Sequence, residues 1–72
     1  MPQIEGFIRR CEEQLEQLRT QLAPLESGNM TIGSRRGNEA WRDITQERIE
    51  QIRHNIDNYE AIIERLRKRQ AL

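Results

Sequence analysis

The apolar residues of this chain recur on a heptad rhythm in two separate stretches, and nothing else in the sequence restricts the fold so strongly. In the first stretch they are Ile4, Ile8, Cys11, Leu15, Leu18, Leu22 and Leu25, at steps of 4, 3, 4, 3, 4 and 3. That is an a/d seam, with a at 8, 15 and 22 and d at 4, 11, 18 and 25. Phe7 lies beside it at g. The second stretch reads Ile49, Ile52, Ile56, Tyr59, Ile63 and Leu66, at steps of 3, 4, 3, 4 and 3. Here a falls at 49, 56 and 63, d at 52, 59 and 66, and Ile62 widens the stripe at g.

The boundaries follow from local chemistry. Pro24 disfavours the helical conformation at Ala23, and Ser27 and Gly28 supply stop signals, so the first helix is expected over 3–24. Gly6 is a weak point near its start. Thr45 suits an N-cap, Glu47 places negative charge at the positive end of the macrodipole, and Ile44 and Ile49 are spaced as a hydrophobic staple. The second helix is expected over 45–70, its basic run Arg65, Arg67, Lys68 and Arg69 lying at the negative end of the dipole.

Neither seam lasts the four heptads of a long rod. Two helices of matched length, roughly 30–38 Å each at 1.5 Å per residue, predict an all-α fold, an antiparallel helical hairpin. The connection over 27–44 is long for such a hairpin and carries Met30, Ile32 and Trp41, which a plain linker does not need. It is expected to be an ordered loop packed over the open end of the hairpin and anchored by Trp41. Met30–Ile32 and Ala40–Arg42 read as two short strands about a turn at Ser34–Asn38.

Size then bears on association. A chain of 72 residues forms one domain, and chains this short usually add a metal, disulfides or an oligomer interface. Cys11 is the sole cysteine, so it forms no disulfide within the chain, and one Cys with one His cannot supply the four ligands of a structural zinc site. Phe7 and Ile62 extend the apolar stripe beyond the a/d line, a width that belongs to a helix with more than one neighbour. Two hairpins packed as a four-helix bundle, a homodimer, are the expectation, with the oligomer seam at Ile4, Phe7, Ile8, Cys11, Leu15, Leu18, Leu22, Ile49, Ile52, Ile56, Tyr59, Ile62, Ile63 and Leu66. A register that sets Leu22 opposite Ile52 pairs Glu5 with Arg67, Glu12 with Glu60 and Arg19 with Arg53 at e positions. Two of those three pairs repel. In outline the chain resembles the Rop-type helical hairpin, which dimerises into a four-helix bundle. The likeness is architectural, no residue motif carries it, and the long connection departs from that compact turn, so it does not transfer RNA binding.

Twelve basic residues balance twelve acidic ones, so overall charge calls for neither nucleic acid nor an anionic membrane. No apolar run approaches the ~20 residues that span a bilayer, and MPQIEGFIRR has no apolar signal region. A cytoplasmic location is the expectation. No cofactor is called for and no catalytic constellation stands out. Cys11 at a d position reads as a buried small hydrophobe. His54, at f between Glu50 and Asn58, reads as a solvated side chain, and Glu12, Glu13 and Glu16 as a solvated acidic face. Trp41 reads as buried over the helical core. Arg35-Arg36-Gly37 lacks the spacing of a phosphate-binding loop.

Three functions fit. The first is a non-enzymatic, homo-oligomeric protein–protein interaction module, with Met30, Ile32, Arg35, Arg36 and Trp41 as the partner contact, since loops on rigid scaffolds often carry recognition. The second is a nucleic-acid-binding regulator that uses a basic end formed by Arg9, Arg10, Arg65, Arg67, Lys68 and Arg69. The third is a small protein inhibitor of a host or phage enzyme.

Overall fold

A computed structural model describes residues 2–71. The heptad stretches form two long helices, α1 (Pro2–Glu26) and α2 (Thr45–Ala71), packed side by side. Between them lies a two-stranded antiparallel ribbon, β1 (Gly33–Ser34) paired with β2 (Arg42–Asp43), with Gly33 opposite Asp43 and Ser34 opposite Arg42. The whole measures 55 × 25 × 15 Å, longer than either helix alone, so the ribbon extends the rod.

The first helix runs through Pro24 to Glu26, two residues beyond its expected end at 24. Proline lacks an N–H to donate within the helix, and the last turn is held in other ways. Leu25 is buried, and Ser27 N–H bonds the Ala23 carbonyl at 3.0 Å. Gly28 then takes φ +82, the left-handed step that ends helices, and Met30 N–H reaches back to the Pro24 carbonyl at 3.1 Å.

The start of α2 differs from a simple Thr45 cap. The first helical bond runs from Arg48 N–H to the Ile44 carbonyl, which puts Thr45 inside the helix. Asp43 takes the capping role, its Oδ1 accepting Thr45 N–H at 2.9 Å and the Thr45 hydroxyl at 2.6 Å. The Thr45 hydroxyl oxygen accepts Ile32 N–H at 2.9 Å, and Ile44 N–H bonds the Ile32 carbonyl at 2.9 Å. Ile32, half-buried and packed on the core, therefore anchors the connection. Trp41 does not, contrary to expectation: its side chain is 58% exposed. Both strands also sit later in the chain than the expected Met30–Ile32 and Ala40–Arg42, β1 nearer the turn and β2 further from it, because Ile32 is drawn to the helices instead.

Among the described residues, the core is one cluster of nine buried side chains from both helices: Ile8, Cys11, Leu15, Leu22, Leu25, Ile49, Ile52, Ile56 and Ile63. Burying one such side chain contributes about 1.5–3 kcal/mol.

Candidate functional site

The flanks of the seam are unlike each other, and their difference begins with the heptad. In an antiparallel pair the e positions of both helices line one flank and the g positions the other. The e flank is bridged by ion pairs. Glu12 meets Arg67 at 3.3 Å, Arg19 meets Glu60 at 3.6 Å, and Glu26 pairs with Arg53. These are not the expected partners. Level pairing sets Glu12 against Glu60 and Arg19 against Arg53, whereas each partner is found one heptad further along. The reason is geometric. Side chains on a helix lean toward its N-terminus, so across an antiparallel pair long side chains converge on the diagonal neighbour rather than the level one. The two expected repulsions become attractions, although exposed pairs are worth at most ~1 kcal/mol each.

The opposite flank is not bridged. The a positions 8, 15, 22, 49, 56 and 63 are buried, and so are d positions 11, 25 and 52, whereas d positions 4, 18, 59 and 66 are only half-buried. Since d adjoins g, the less-covered apolar residues lie toward g: a strip in which Ile4, Leu18, Tyr59, Ile62 and Leu66 are partly covered and Phe7 is 46% exposed. On the e flank a shallow groove runs between the ion pairs instead, with Ile8, Leu15 and Ile63 among its lining. No ion pair between the helices crosses this flank among the described residues.

Charge divides the same way. On the bridged flank the e and b positions carry Glu5, Glu12, Glu16, Glu26, Glu50, Asp57, Glu60 and Glu64, eight carboxylates against the four cations Arg9, Arg19, Arg53 and Arg67. The open flank carries, at g and c, Arg10, Arg48, Arg65 and Arg69 and no carboxylate. All four arginines are exposed. A neutral chain is thus polarised across its width. This signal lies in the sequence, but reading it requires knowing which flank the ion pairs bridge.

The expected basic end exists only in part. Arg9, Arg67 and Lys68 line one shallow groove, but Glu5, Glu12, Glu60 and Glu64 line it too. Arg67 is bonded to Glu12 and Lys68 to Glu64 at 3.4 Å. Arg10, Arg65 and Arg69 belong to the other flank. At the far end of the rod, Met30 is 53% exposed, and Arg35 and Arg36 are exposed. Trp41 lies flat against the Gly33 backbone, where a Cβ would stand 1.7 Å from its indole. The loop candidates therefore split: Ile32 faces the core, while Met30, Arg35, Arg36 and Trp41 face solvent.

Cys11 is buried in the seam. His54 is exposed, and among the described residues no three His, Cys, Asp or Glu side chains gather as a metal site. No described helix is long and apolar enough to cross a membrane. Compared with known protein families, curated proteins and solved structures, the chain finds no match.

Proposed function

We propose that this chain is a non-enzymatic protein–protein interaction module whose binding face is the open g flank of the hairpin. One observation carries the reading: ion pairs bridge the helices on one side, and a partly exposed apolar strip lies on the other. An exposed apolar strip rimmed by polar residues is the anatomy of a protein interface. A helix laid into that strip completes the core that a lone hairpin leaves half-covered. A second hairpin there gives the four-helix bundle of a homodimer, and a helix of another protein gives a heteromeric bundle. An enzyme inhibitor is one form such a module takes. The loop tip with Met30 and Trp41 is a lesser candidate, because its apolar residues are two and stand apart from the strip. Nucleic-acid binding at the basic end is weaker still, since Glu12 and Glu64 engage two of its six cations.

A photo-activatable side chain placed at position 7 or 62, against controls at 16 and 50, tests the assignment in cells. The expected result is adducts from 7 and 62 to one surface of one polypeptide, this chain or another, with little from 16 and 50. Equal yields from both flanks, or none from either, contradict it.

A further inference from the structure

Resting on that reading, we infer that the occupant of the open flank is an acidic amphipathic helix of another protein rather than a second copy of this chain. The apolar strip says that something docks, and the charges around it say what. Arg10, Arg65 and Arg69 cluster toward the end of the rod where α1 begins and α2 ends, and Arg48 stands toward the ribbon end. No carboxylate shares their flank. An isologous pair through this face sets arginines against arginines whether the rods run parallel or antiparallel. Like charges brought together at an interface oppose association and select against that partner. Nor does the carboxylate-rich flank of another copy supply the complement, because Glu12, Glu26 and Glu60 there are already engaged by Arg67, Arg53 and Arg19.

The occupant that satisfies both features has a narrow apolar stripe edged by Glu and Asp. Its length follows from the strip, which on α1 runs from Ile4 to Leu18, about 20 Å at 1.5 Å per residue. About four helical turns cover it, with apolar anchors spaced i, i+3 or i+4, i+7. The partner's carboxylates then flank the seam and reach the guanidinium groups, where pairing supplies specificity and a faster encounter more than raw affinity. Phosphates are a poorer complement. The strip is mainly aliphatic, and Tyr59 is half-buried instead of free to stack on a base.

Two synthetic helical peptides of about five turns, with identical apolar stripes, provide the test; one carries Glu along both edges and the other Lys. Each is titrated onto the full chain by fluorescence anisotropy at low and at high salt. The Glu peptide is expected to bind at least about tenfold tighter than the Lys peptide, and the gap is expected to narrow as salt rises. In an R10E/R65E/R69E variant, shown by circular dichroism to remain helical, the preference is expected to reverse. If that variant does not fold, the salt dependence on the natural chain decides alone. Equal binding of both peptides, or binding of neither, overturns the inference. So does a stable dimer that excludes both, which gives the flank to a second copy, or tighter binding of single-stranded RNA than of the Glu peptide. Cross-links from position 7 together with no charge preference would sink this inference and leave the binding face standing.

Discussion

At the scale of single residues, the ribbon is organised by side chains that the sequence does not mark as special. Gly33 leaves room for the Trp41 indole, and a methyl group there collides with it. Since Trp41 is the exposed, movable partner, Gly33→Ala is expected to dislodge the ring with little loss of global stability, under about 1 kcal/mol. A change in tryptophan emission or quenching, with a nearly constant unfolding midpoint, is the check; unchanged emission counts against the contact. Asp43 is the second such residue. The Thr45 hydroxyl, and after it the Thr45 backbone N–H, donate to its carboxylate and hold its pKa below the ordinary 3.8. A lowered carboxylate pKa stabilises the fold at pH above the unfolded value, and that support is lost as pH falls through the lower folded value. The N-terminus of α2 is therefore expected to loosen below about pH 3.8. Exchange of the Thr45 amide against pH would show it, and Asp43→Ala should abolish that pH dependence.

At the scale of elements, periodicity made the helices legible, because a 3.5-residue apolar repeat serves no other structure so well. Both α1 and α2 formed where Ile4–Leu25 and Ile49–Leu66 announced them. The connection was legible only as ordered. Which of Ile32 and Trp41 turns inward depends on the room left beside the helix ends, and hydrophobicity alone favours the larger ring. Ile32 won because its backbone is tied by Thr45 and Ile44. Heptad labels alone give the wrong ion-pair partners, because a label records position around a helix but not the axial lean of its side chains. A double-mutant cycle on Arg19 and Glu60 is expected to give a coupling below about 1 kcal/mol that fades at high salt. A coupling several times larger would mean that the pair is far less solvated than its exposure indicates.

At the scale of the whole molecule, three asymmetries coincide: a positions buried throughout against four half-buried d positions, ion pairs on e against none on g among the described residues, and carboxylates on one flank against arginines on the other. The width of the apolar stripe pointed to a second neighbour from sequence alone. Which side that neighbour approaches was hidden, because the sequence does not state which flank the ion pairs bridge. The claim that follows is that the open flank awaits another protein. Light scattering on the purified chain, across a wide concentration series, tests it most directly. The account predicts the monomer mass of 8.6 kDa throughout. A stable dimer that Phe7→Glu dissociates would contradict it, showing the open flank to be the chain's own interface.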